Sequence, residues 1–184
     1  MFKLFKSRAE AVSAEVYQFP TKTGALEFII QLLHKEGIAD AIHSYAVWAD
    51  GDFLTGIDRK ELSDKVPGLR FDVTHEIAAA AKIGITQMDW AIADTGSLAQ
   101  DSEPAEQRLA SSLPGIHIAL VATDKLLADL SSFFNKMSPR ESRYIAMITG
   151  PSRTADIERV LTIGVHGPER LIIVFVDELG QRKC

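Results

Sequence analysis

Two strongly apolar runs, Leu171 to Val176 and Ile116 to Ala122, the second broken by His117 alone, constrain this chain more than any other feature. A strand with one wet face alternates polar and apolar residues, so a run that is apolar almost throughout belongs in a sheet covered on both sides, as parallel strands are. Segments of helical apolar spacing lie between the extended ones, and the alternation predicts a layered α/β/α fold around a mostly parallel sheet. Val16 to Phe19 reads as a strand ended by Pro20, followed by helical spacing from Ala25 to Leu33. Tyr45 to Trp48 reads as the next strand, then a helix over Lys60 to Val66 and an extended stretch from Leu69 to Val73. Thr74 caps a helix through Ala81, and Gly84 to Trp90 makes an irregular approach to an extended Ala91 to Ala93. Pro104 starts a helix holding Arg108 and Leu109, and Asp124 to Phe134 has helical spacing. The capping box Ser138-Pro139-Arg140-Glu141 precedes a strand from Tyr144 to Ile148, and Thr154 to Leu161 reads as the last helix.

At 184 residues the chain suits one sizeable core, so a single domain over 1–184 is expected, with residues 1–15 forming a frayed or docking N-terminal helix. A net charge of −5, with no basic block, argues against nucleic acid as a partner. The single cysteine is Cys184, so this chain alone builds neither an internal disulfide nor a cysteine-held cluster. There is no phosphate-loop motif and no Gly-x-Gly-x-x-Gly, and His34, His43, His75, His117 and His166 form no close metal-ligand pair. No cofactor and no metal are therefore expected in this chain, and the isolated protein is expected to be colourless. The N-terminus lacks a signal-peptide core and the longest apolar run is too short to span a bilayer, which predicts a cytoplasmic protein without a transmembrane segment.

Ligands of parallel sheets sit beyond the carboxyl ends of the strands, and two turns are expected there. One is Asp94-Thr95-Gly96-Ser97 and the other runs from Gly150 to Arg153. In the second, Ser152 or Thr154 would cap a helix whose remaining N–H groups, beside Arg153, suit an anion, with Asp156 and Glu158 in its first turn. The plainer alternative is a capped turn in which Arg153 pairs with Asp156 or Glu158. Asp94 is a candidate base or hydroxyl contact, or simply a turn former. His166, in a glycine-rich loop, is a candidate acid/base group or a turn histidine bonded to backbone. His117 is expected to donate to a neighbouring carbonyl at its strand start, and Trp48 and Trp90 read as core or rim aromatics. Nothing local supplies Ser97 with a base, which excludes a hydrolase triad.

The motif order resembles the lactate-utilisation protein C family, the LUD domain. The resemblance rests on Gly84 to Leu98, on Arg108 with Leu113-Pro114-Gly115-Ile116-His117, and on Gly150 to Glu158 with Gly164-Val165-His166-Gly167-Pro168. It implies a fold similar to ribose-phosphate isomerases, glucosamine-phosphate deaminases and CoA transferases. It also implies a role in oxidising L-lactate to pyruvate beside iron–sulfur subunits that carry the clusters. Fold kinship alone transfers no isomerase or transferase activity. Two alternatives stay open: a stand-alone enzyme acting on a small anionic metabolite, and a ligand-sensing or scaffolding module.

Overall fold

The computed structural model describes residues 1–137, 144–155 and 161–180. Helix α1 (Phe2–Ala11) leads into strand β1 (Glu15–Phe19). Thr21 then caps α2 (Lys22–Lys35) by accepting from the Gly24 N–H at 3.1 Å. Strand β2 (Tyr45–Trp48) is followed by α3 (Arg59–Lys65), where the Asp58 carboxylate accepts from two free N–H groups. Next come β3 (Leu69–Arg70), α4 (His75–Ala79) with Thr74 as its cap, and β4 (Ala81–Met88). A hairpin of β5 (Trp90–Ile92) and β6 (Ser97–Asp101) precedes α5 (Ala105–Ser112) and β7 (Ile116–Ala122). The remaining elements are β8 (Leu126–Leu127), α6 (Leu130–Phe134), β9 (Ile145–Ile148), β10 (Arg153–Ala155), β11 (Leu161–Ile163) and β12 (Arg170–Val176).

Strands β1, β12, β7, β4, β2 and β3 lie side by side in that order, and every neighbouring pair is parallel. Both faces are covered, which is why β7 is buried at every position. On one face Ile83, Ile85, Ile118 and Ile172 pack with Ile29 and Leu33 of α2 and Leu62 of α3. The opposite face presents Ala119, Val121, Ile173 and Phe175 to Phe5 and Ala9 of α1 and to Ala91 and Leu98 of a second sheet. Phe2 and Phe5 both meet the Phe175 ring edge-on, with centroids 5.2 and 5.0 Å away. The second sheet has the order β8, β5, β6, β9, so one covering layer is part helix and part sheet.

Several sequence expectations are corrected. The helix expected from Thr154 to Leu161 is replaced at both ends by strand, since β10 pairs antiparallel with β11. The β-branched Thr154 and Ile163 suit that extended pairing. The strand ending at Ile148 and the extended stretch around Ala91 lie in the second sheet, outside the parallel one. Asp124 to Phe134 is split into a short 3-10 turn, β8 and α6, with the Asp129 carboxylate capping α6. Only Leu69 and Arg70 of the stretch to Val73 are strand. The stretch from Gly84, expected to be irregular, belongs to β4 in the middle of the sheet. The capping box at 138–141 lies outside the described residues, as does Cys184.

Candidate functional site

The two turns singled out by sequence do meet, though not beyond the parallel sheet. Asp94 to Gly96 closes the β5–β6 hairpin and Gly150 follows β9, so pairing of β6 with β9 brings them together. The Ser97 and Thr149 hydroxyl oxygens are 2.7 Å apart. The C-terminal end of α1 covers both turns. A Cβ on Gly96 would lie 2.5 Å from the Ala9 nitrogen, and one on Gly150 would lie 2.5 Å from the Val12 carbonyl oxygen. Both glycines also have left-handed φ angles, 68° and 73°, so conformation and close approach each demand glycine.

No helix starts at Gly150 to Thr154, which removes the free helix N–H groups expected there, and Thr154 sits half-buried in β10. The Arg153 guanidinium donates to the Val12 carbonyl at 2.9 Å and to the Ser13 hydroxyl at 3.0 Å, fastening the α1–β1 connection onto this junction. Asp94 is exposed, and its N–H donates to the Ala128 carbonyl. The buried Thr95 hydroxyl has no hydrogen-bond partner among the described residues. Asp156 and Glu158 lie outside the described residues.

Gly150, Ser152 and His166 come together around a cavity of about 220 Å³ at the amino ends of β7 and β12. Ser111, Ser112 and His117 complete much of its polar wall, while Met147, Ile148, Pro168 and Leu171 supply apolar surface. The Ser152 N–H donates to the Pro168 carbonyl at 2.8 Å, and the Gly164 N–H donates to the Ser152 carbonyl at 3.0 Å. These bonds hold the 164–168 loop against the Gly150 turn, with the exposed His166 beside the cavity. Thr149 lines the same space and links it to Ser97, whereas Asp94, Thr95 and Gly96 do not reach it. The bond expected from His117 to a neighbouring carbonyl is corrected: its Nε2 pairs instead with the Thr86 hydroxyl at 2.8 Å. Burial lowers the His117 pKa from its ordinary 6.5 to about 4, which keeps the ring neutral near pH 7.

A second crevice, about 270 Å³, does lie at the carboxyl ends of β4 and β7 and was missed in the sequence. Asp52, Gln87, Asp89, Asp124 and Lys125 line it. Asp89 is exposed, but partial desolvation by the surrounding protein raises its pKa above the ordinary carboxylate value, opposed by the Asp101 N–H donating to it at 2.6 Å. The Lys125 ammonium lies 4.7 Å from the centre of the Trp90 ring, which places Trp90 at the rim, while Trp48 is buried in the core. A carboxylate directly after a strand was the available signal, but reading Gly84 to Trp90 as irregular concealed the strand end. Among the described residues no three His, Cys, Asp or Glu side chains gather as ligands for a metal ion.

The LUD-domain family model matches residues 2–176. A protein named Lactate utilization protein C from Exiguobacterium sp. is 34% identical over 59% of this chain and 50% of its own length. Proteins of that name from Macrococcus caseolyticus and, as Lactate utilization protein C 1, from Bacillus mycoides are 29% and 28% identical. Those matches cover 83% and 92% of this chain and 68% and 76% of the relatives. The chain thus spans about half to three quarters of these curated relatives. A solved DUF162-family protein from Deinococcus radiodurans is 22% identical, with a TM-score of 0.65 over 95% of each chain, a likeness of fold.

Proposed function

The chain belongs to the LUD-domain, or lactate utilization protein C, family, and on that premise we propose that it is a non-redox subunit of an iron–sulfur-dependent system oxidising L-lactate to pyruvate. In this reading residues 1–184 act as one cytoplasmic α/β unit, and the clusters that accept the substrate's two electrons reside in partner subunits. The chain's own task is to hold the small carboxylate. The observation that carries this is the cavity uniting Gly150, Ser152 and His166, because among the described residues no carboxylate lines it and its polar side chains are hydroxyls and imidazoles. An anion entering such a space meets no like charge from the described side chains that line it. Arg153 and Ser97 support the cavity from outside it, Arg153 by fastening the α1–β1 connection and Ser97 by holding Thr149, while Thr95, Gly96 and Thr154 stay clear of it.

Affinity capture of the tagged chain from its native cells, prepared anaerobically, tests the subunit role. Iron–sulfur proteins should co-purify in stoichiometric amounts and bring iron with them. Recovery of the chain alone, by gentle procedures and without iron, would count against it.

The second crevice favours a second reading, a stand-alone enzyme acting on a small anionic metabolite within a fold akin to sugar-phosphate isomerases and CoA transferases. Asp89, whose pKa is raised, would then be the proton-transferring group and Lys125 the anchor for the anion. Asp89→Asn separates the two. It would abolish turnover by an autonomous enzyme, and it would leave partner-supported lactate oxidation within about threefold of wild type.

A further inference from the structure

We infer that His117 is the floor of the ligand cavity and binds a small carboxylate by donating its Nδ1 hydrogen to one of the carboxylate oxygens. This rests on the reading of that cavity as an anion site, and it adds the donor and the ligand group recognised. His117 is 1% exposed, and its Nδ1 is one of two buried side-chain polar atoms that lack a hydrogen-bond partner among the described residues. Leaving such an atom unpaired costs about 1–3 kcal/mol, and because His117 lines the cavity, an occupant that displaces the atoms closing over Nδ1 can supply its missing partner. The other polar members of the wall do not meet this need. The Ser111 and Ser112 hydroxyls both donate to the Arg108 carbonyl, and the Thr149 hydroxyl pairs with Ser97.

The neighbouring contacts admit the tautomer that this binding needs. The Thr86 hydroxyl has one proton and two prospective acceptors, His117 Nε2 at 2.8 Å and the Met88 sulfur at 3.5 Å. An imidazole nitrogen at the shorter distance is much the better acceptor, since a thioether accepts only weakly. With a carboxylate at Nδ1 the favoured arrangement has Thr86 donating to Nε2 and Nδ1 carrying the hydrogen of the neutral ring, in place of the Thr86 hydroxyl donating to the Met88 sulfur. A donor at the base of a cavity that no carboxylate of the described residues lines calls for an acceptor oxygen on the ligand. The space, about 220 Å³, admits an acid of a few carbon atoms with room for accompanying water. Ser152 and His166, nearer the entrance, then face the remaining carboxylate oxygen or the hydroxyl of a hydroxy acid.

The test uses the full chain, labelled with ¹⁵N in histidine, and three probes: sodium L-lactate, sodium acetate and neutral lactamide. At pH 7, with lactate bound, the His117 ring should show a protonated Nδ1 and an unprotonated Nε2. Lactate and acetate should shift the Nδ1 signal saturably, and lactamide should bind at least tenfold more weakly. Two substitutions divide the ring's roles. His117→Gln places a polar group near the Nε2 position and removes Nδ1, so it should weaken lactate at least tenfold while keeping wild-type stability at pH 7. His117→Asn keeps a donor near Nδ1 and abandons Thr86, so it should bind lactate within about threefold of wild type and unfold more easily. A ring protonated on Nε2 with lactate bound, an absence of saturable shifts with both carboxylates, or wild-type binding by folded His117→Gln would overturn the assignment. These readouts need no partner subunit. Carboxylate binding can therefore fail while capture of iron–sulfur proteins succeeds, and the reverse.

Discussion

Burial makes His117 a source of pH-dependent stability. Its pKa is about 4 in the folded protein against an ordinary 6.5, so the unfolded chain takes up a proton that the folded chain refuses. The resulting stability is complete above pH 6.5 and declines by roughly 3 kcal/mol as pH falls from 6.5 towards 4. Glu36 acts over a lower range. Hydrogen bonds from Lys82 and Arg170 hold its carboxyl below its ordinary 4.5, so its contribution is present above pH 4.5 and is lost as pH falls through the folded value. Urea unfolding measured from pH 8 to pH 3 should show the upper slope vanish in His117→Gln and the acid slope shrink in Glu36→Gln. Equal slopes in all three proteins would refute both attributions. At this scale Gly150, Ser152 and His166 were legible because glycine, proline and hydroxyl residues advertise turns locally. The environment of His117 was not, since Thr86 is 31 positions away and reaches it only through the pairing of β4 with β7.

Among the elements, α1 does more than occupy the N-terminus. Phe5 and Ala9 are buried against Phe175 and the second sheet, and the end of α1 rests on Gly96 and Gly150. Phe5→Ala should therefore cost about 3–5 kcal/mol in urea unfolding and speed hydrogen exchange at Gly96 and Gly150. Loss of stability without faster exchange at the two turns would show that α1 does not hold them. The strands β7 and β12 were legible because apolar runs broken at most by His117 allow few other structures. By contrast, β4 was obscured by Gly84, whose role is long-range: a Cβ there would come within 1.8 Å of the Ala110 carbonyl oxygen, so it admits α5 close to the sheet. The β10–β11 pairing was hidden for a related reason. Helical spacing around Thr154 is a local signal, and strand pairing across the intervening residues overrode it.

For the whole molecule, the parallel sheet separates two chemistries. The crevice at its carboxyl ends holds Asp52, Asp89, Asp124 and Lys125, and the cavity at its amino ends holds hydroxyls and two histidines. The broad α/β architecture followed from patterning alone, whereas the second sheet did not, because β8, β5, β6 and β9 are short and are assembled by contacts distant in sequence. The cavity lined by Gly150, Ser152 and His166 accordingly lies on the amino side of the sheet, where the sequence placed these residues on the carboxyl side. Among the described residues no helix is long and apolar enough to cross a membrane. The most direct test of the central claim is anaerobic, L-lactate-dependent reduction of an electron-accepting dye by three samples: this chain, its captured partner subunits, and the two recombined. The account predicts no reduction by the chain alone and at least a tenfold higher rate for the recombined sample than for the partners without it. Equal rates with and without the chain, or lactate oxidation by the chain alone, would contradict it.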